Sequence, residues 1–226
     1  MLFLSIKKKH IVIALIFILL LSVFLSLPSL VVSTRVYRYC VVIDAGHGGS
    51  DGGSVSPFSG IDENHINLEY ANCLKSLLEN AGVKTVMTRE NLNGLYPIYS
   101  TNRKQDDMKA RKKIIENSNA NLVVSIHMNS FPMQSSYGCQ TFFNPNNPAS
   151  VYLANTIQNL FVQNLANARK TAQAGDYYIL NCSNTPSVLV ECGFLSNQQE
   201  EKLLQTQEYK TQICSLIACG IIMCLS

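Results

Sequence analysis

Beyond residue 38 the chain alternates short β-branched runs with longer segments whose apolar positions recur at helical spacing. Tyr39–Asp44, Val83–Thr88, Asn121–Ile126, Gly138–Phe143, Tyr177–Leu180 and Ser187–Glu191 read as strands. Between the first two, Glu63–Asn80 sets Ile66, Tyr70, Cys73, Leu74, Leu77 and Leu78 on one stripe, and Ala81-Gly82 ends it. Further helices are predicted over Arg103–Asn117, with Met108, Ile114 and Ile115 inward, over Pro148–Leu165, entered through its proline, and over Tyr209–Leu225. Such alternation predicts an α/β fold, a mostly parallel twisted sheet with helices on both faces. Residues 34–226 suffice for one domain with a large core. The Glu90–Asn102 loop is longer than a connector needs, and its Tyr96, Pro97, Ile98 and Tyr99 give it apolar and aromatic character.

The first 33 residues follow another pattern. Lys7, Lys8 and Lys9 precede an apolar run from Ile11 to Leu21, which only serines interrupt up to Leu27 and which resumes to Val32. Length and basic flank predict a cytoplasmic Lys-rich tip and a transmembrane anchor over 1–33, with a cleaved signal segment as the alternative. The absence of an A-x-A site favours the anchor. In either case the chain from about Thr34 onward is predicted to lie on the extracytoplasmic face of a membrane. These three lysines account for the whole formal charge of +3. The exported part is therefore balanced, with no basic footprint for nucleic acid. Eight cysteines in an exported chain invite a disulfide reading. Cys40 and Cys192 lie in strand-like runs, Cys73, Cys214 and Cys219 fall at helical apolar positions, and no C-x-x-C occurs, so they read as small core residues. A pairing between two of them stays open.

Two of the four histidines carry the candidate chemistry. His47 follows the strand ending Val42-Ile43-Asp44, and His127 ends the run Val123-Val124-Ser125-Ile126. Neighbouring strands of an α/β sheet open at their carboxyl ends into one crevice, where two imidazoles can share an ion. A catalytic zinc usually takes three protein ligands and leaves one open position. Glu63, at a helix start, is the best-placed third ligand, although a first-turn glutamate is also what the helix dipole favours. Glu191 closes the apolar run Val188-Leu189-Val190, where a carboxylate is costly unless paired or functional, so it is the candidate general base.

Ile43-Asp44-Ala45-Gly46-His47-Gly48-Gly49-x-Asp51, Glu63-Asn64-His65-Ile66-Asn67-Leu68, Ser125-Ile126-His127-x-Asn129 and Glu191-Cys192-Gly193-Phe194-Leu195-Ser196-Asn197 occur in that order. Together they resemble the zinc-dependent N-acetylmuramoyl-L-alanine amidases of the amidase-3 type, from Tyr39 to the C-terminus. The resemblance implies one zinc held by His47, Glu63 and His127, with Glu191 as catalytic carboxylate. Asp44 and Asn129 are candidates for orienting a ligand histidine or shaping a loop. Ala45 stands where the family usually has proline, and His65 is expected on the helix surface. Within the family, the anchor and the Tyr99–Asp107 and Gly138–Phe143 stretches resemble the small sporulation and germination enzymes of the CwlD type, which implies a role in spore cortex maturation towards muramic-δ-lactam. The implied partner is peptidoglycan, and the Glu90–Asn102 loop is either a groove wall or a docking surface for an accessory protein that favours the zinc-bound form. Two rival readings are a zinc peptidase cutting within the stem peptide and a non-catalytic wall-binding protein. A phosphate loop fails because Gly46–Asp51 does not complete G-x-G-x-x-G. A Cys192 nucleophile is disfavoured by the adjacent carboxylate.

Overall fold

Five of the six residues of β1 (Cys40–Ala45) are buried, as the run Val41-Val42-Ile43 dictates for a strand covered on both faces. β1 pairs in parallel with β2 (Lys84–Met87) on one side and β3 (Leu122–Asn129) on the other. β3 pairs in parallel with β6 (Ser187–Phe194). Next to β6, β4 (Gln140–Phe143) runs antiparallel, and β5 (Gln173–Ala174) is parallel to β4, giving the order β2-β1-β3-β6-β4-β5. The computed structural model describes residues 37–226 together with residues 9, 10, 13, 15–19 and 22, all of which are helical in the N-terminal group. Most of the segment expected to form the anchor over 1–33 lies outside the described residues.

Strand alternation divides the core between the two faces. On one face Val41, Ile43, Val124 and Val190 meet α1 (Glu63–Asn80), α3 (Pro148–Asn164) and α6 (Gln207–Leu225) through Leu74, Ile157, Phe161 and Ile217. On the other face Val42, Val123 and Leu189 meet Ile115 of α2 (Arg103–Asn117) and Ile179 and Leu180 of the single turn α4 (Tyr178–Asn181). Helix α6 is long and apolar enough to cross a membrane by composition. Its Ile213, Cys214, Ile217 and Ile221 are nonetheless fully buried in the core, which makes it a core helix of this domain. All eight cysteines are free; Cys139, Cys182, Cys192 and Cys214 are buried, whereas Cys219 is exposed rather than inward.

Three departures from expectation have physical reasons. Tyr177–Leu180 is a turn of helix, not a strand, because the place beside β4 is taken by Gln173–Ala174 and the adjacent Ile179 and Leu180 both enter the second core cluster. A short apolar run cannot distinguish these outcomes. Helix α5 (Gln198–Leu204) is mostly polar, and it starts where the Asn197 side chain accepts the amides of Gln199 and Glu200. Finally, β3 and β6 run on to Asn129 and Phe194, so His127 and Glu191 lie inside strands rather than at their ends.

Phe161 is fully buried between α3 and the sheet. Phe161→Ala should cost about 3–5 kcal/mol, read as a lower denaturant midpoint with an unchanged slope.

Candidate metal centre and active-site cavity

Parallel pairing puts His127 of β3 opposite Glu191 of β6, and β1 beside β3 brings the loop after Ala45 to the same end of the sheet. There the backbone turns sharply: His47 adopts a left-handed φ of 61°. A Cβ on Gly46 would lie 2.2 Å from the His127 ring, so only glycine lets the two histidines approach. The ring centroids are 4.9 Å apart at 77°. Gly53, with φ of 72°, lets the loop close over Glu63, where any side chain would strike the carboxylate and the His47 ring.

Glu63 joins the two histidines. Its Oε1 lies 3.3 Å from His47 Nε2 and 3.0 Å from His127 Nδ1. The Met128 amide and the Asn67 side chain donate to the same oxygen, at 3.2 and 3.1 Å, and the Ser54 amide donates to Oε2 at 3.0 Å. One donor atom from each of His47, Glu63 and His127 falls within 4.8 Å of the others. A tetrahedral zinc with bonds of about 2.0–2.1 Å would set its donors about 3.3 Å apart, and the two separations between Glu63 and the histidines are of this size. Burial alone would lower the basicity of His47, but hydrogen bonds and charge from Glu63, then Asp51, carry its pKa up to about 9. Burial pushes the Glu63 carboxyl upward, and the two imidazoles outweigh it, holding the group well below the usual carboxylate range. A carboxylate this strongly committed to its ionised form, facing two nitrogen donors, is a site built for positive charge, and a divalent cation fits it.

The sequence-predicted residues His47, Glu63, His127 and Glu191 thus converge. Glu191 has its Oε2 enclosed with no hydrogen-bond partner among the described residues. Burial, reinforced by the Glu63 charge and opposed by both histidines, lifts its pKa to about 7. Asp44 makes no hydrogen bond to a histidine among the described residues. It accepts from Thr88, Ser125 and Arg111, and although burial opposes ionisation, the Arg111 charge and these hydroxyls bring its pKa down to about 2. Asn129 accepts the Leu195 amide through its backbone carbonyl and makes no side-chain hydrogen bond to a ligand among the described residues. His65 is exposed, as expected.

Four supporting residues were given no role from sequence, although Asp51 and Asn67 stand in the motifs. Asp51 Oδ1 lies 3.0 Å from His47 Nδ1, an arrangement that fixes the tautomer and ring orientation of a ligand histidine. Asn67 bridges Glu63 and the Gly46 carbonyl. Buried Arg89 donates to the carbonyls of Ala45, Gly46 and Asn64, and buried Arg111 to those of Ala45 and His47. Asp107, Arg111 and Ile115 follow i, i+4 spacing on α2, so the inward stripe was the available signal for Arg111.

A cavity of about 550 Å³ opens over the cluster, lined by His47, His127, Tyr96, Arg103, Lys104 and Tyr177 among others. Tyr96 of the long loop accepts the Ser50 amide at 2.6 Å, so this part of the loop is groove wall. Ile98 and Tyr99 are 89% and 84% exposed and point away from that role.

Comparison with known proteins follows the same frame. Residues 41–223 match the family model described as N-acetylmuramoyl-L-alanine amidase. The germination-specific N-acetylmuramoyl-L-alanine amidase of Bacillus subtilis is 34% identical over 186 residues, spanning 80% of this chain and 78% of the relative. Among solved structures, the CwlD amidase of Clostridioides difficile, in complex with the GerS lipoprotein, superposes with a TM-score of 0.79 at 37% identity, over 83% of this chain and 98% of that one. The catalytic domain of CwlV from Bacillus (Paenibacillus) polymyxa var. colistinus gives 0.73 at 31% identity, with 83% and 98% covered.

The raised Glu191 pKa carries a stability signature in the metal-free protein. A carboxyl that holds its proton more tightly when folded costs stability that builds up as pH rises from the unfolded value of 4.5 to about 7 and is present in full above that. Glu191→Gln should therefore be more stable than wild type at pH 8, with the difference vanishing below pH 4.5. Denaturant melts at the two pH values read it directly, and a pH-independent difference would contradict the assigned shift.

Proposed function

Because the chain belongs to the N-acetylmuramoyl-L-alanine amidase family, we propose that it hydrolyses the lactyl–L-alanine amide of peptidoglycan with His47, Glu63 and His127 holding one zinc ion and Glu191 moving the proton. Zinc bound there supplies Lewis acidity to the amide carbonyl and to water. The observation carrying this reading is the enclosed, unpartnered Glu191 Oε2 in register with His127. Burial raises the Glu191 carboxyl above the usual carboxylate range, which suits a group that accepts a proton and gives it back. Glu191 takes a proton from the attacking water as oxygen adds to the lactyl carbonyl carbon. It then delivers that proton to the alanine nitrogen as the C–N bond breaks, leaving a lactyl carboxylate and a free amino terminus. Asp51 keeps His47 oriented, while Asn67 and the Ser54 and Met128 amides hold the Glu63 carboxylate.

A cell-wall substrate places the action outside the cytoplasm. The likeness to a germination-specific amidase and to CwlD supports work on the spore cortex, where freeing the lactyl carboxylate is a step towards muramic-δ-lactam. The basic tip and apolar run support an N-terminal anchor. An accessory protein is supported by the CwlD–GerS complex and by the exposed Ile98 and Tyr99 on the long loop.

His47→Ala and His127→Ala should each lose zinc and activity together, measured by metal analysis and peptidoglycan turnover. Glu191→Gln should keep zinc and lower kcat by about 10²–10⁴-fold. Full zinc content in both histidine variants, or near-normal turnover in Glu191→Gln, would overturn the assignment.

A further inference from the structure

The lining of the cavity carries two cations that the chemistry above does not use. Arg103 and Lys104 open α2, both are exposed, and both line the same cavity as His47 and His127. The other charged groups of that lining are already engaged. Asp44 and Asp107 are paired with Arg111, Asp51 with His47, and Asp176 accepts from Asn181. Neither Arg103 nor Lys104 makes an ion pair among the described residues. Two cations in a helix's first turn also oppose its dipole, so their placement does not serve the stability of α2. The Arg103 guanidinium lies 5.4 Å from the centre of the Tyr96 ring, and Tyr96 is itself held by Ser50, so the cation has a defined seat.

The substrate's own charge identifies the ligand. While the lactyl carboxyl is tied up in the scissile amide, the free carboxylates of a muramoyl-peptide all belong to the peptide. We propose, on the premise that the chain is an amidase, that Arg103 and Lys104 form a subsite for a free carboxylate of the stem peptide. This subsite places the leaving-amine side of the substrate against the Tyr96 wall and the sugar on the remaining side of the cavity. The two residues select for peptide charge and take no part in the chemical step.

The test uses the full-length, zinc-loaded protein and two soluble muramoyl-peptides that differ only in whether the peptide carboxyl groups are free or amidated. Wild type should favour the free form through KM. Replacing both residues, Arg103→Gln with Lys104→Gln, should raise KM for the free form about tenfold, leaving the amidated peptide unaffected. The change in kcat should stay within roughly twofold. Arg103→Lys should retain part of the preference, because it keeps charge but loses the planar fork. Equal losses on both peptides, or a wild type indifferent to amidation, would overturn the subsite. Calorimetry with the same peptides on Glu191→Gln keeps this result separate from the amidase reading. If wild type releases no free alanine amino group from either peptide, that reading fails, while preferential binding of the free form by Glu191→Gln, lost when Arg103 and Lys104 are also replaced, still upholds the subsite and its absence overturns it.

Discussion

The buried carboxylate of Glu63, held between two imidazoles, is the constraint from which the rest of the site follows. A charge 2% exposed is costly unless partners compensate it, and Glu63 has five donors or donor-capable rings around it. Meeting that requirement brings three parts of the chain to one point: the start of α1, the loop after β1 and the C-terminal half of β3. The glycines at 46 and 53 are the geometric condition, since a side chain at either would occupy space taken by the rings or the carboxylate. The parallel register of β1, β3 and β6 then sets Glu191 beside His127 without further adjustment.

Beneath the site, a second buried network sets where the histidine loop lies. Arg111 joins Asp44 and Asp107 and donates to the carbonyls of Ala45 and His47, while Asp107 accepts the Leu95 amide of the long loop. Buried ion pairs of this kind contribute little net stability, because desolvation offsets the attraction. Their effect is positional. Through Arg111 and Asp107, helix α2 fixes at once the loop carrying His47 and the loop carrying Tyr96, so the His47–Glu63–His127 cluster and the groove wall share one support.

Much of this was legible in the sequence, and the limits were physical. Helices with a clear apolar stripe, such as Glu63–Asn80, and strands with β-branched runs, such as Val41–Ile43, announce themselves because burial selects their periodicity. His47 and His127 were visible because each stands beside such a run. The apolar tetrad from Tyr177 was not legible as helix, since the outcome turned on which segment took the sheet edge beside β4. Strand ends at Asn129 and Phe194 were underestimated because a strand lining a site carries polar residues where the core pattern stops. Arg89 acts through carbonyls distant in sequence, which residue spacing does not encode, whereas Asp51 reaches His47 and Asn67 reaches Glu63 at i, i+4, a spacing that assigns no role by itself. Glu63 had a plain alternative as a helix-start acid, and the family resemblance was what raised it above that.

The account's central claim is that this cluster cuts one bond, the amide between the muramic lactyl group and L-alanine. Mass analysis of the products released from purified peptidoglycan by the zinc-loaded protein tests it most directly. The account predicts stem peptides bearing a free L-alanine amino terminus, matched by glycan strands whose muramic residues carry free lactyl carboxylates. Fragments cut within the peptide, with L-alanine still attached to the sugar, would contradict it.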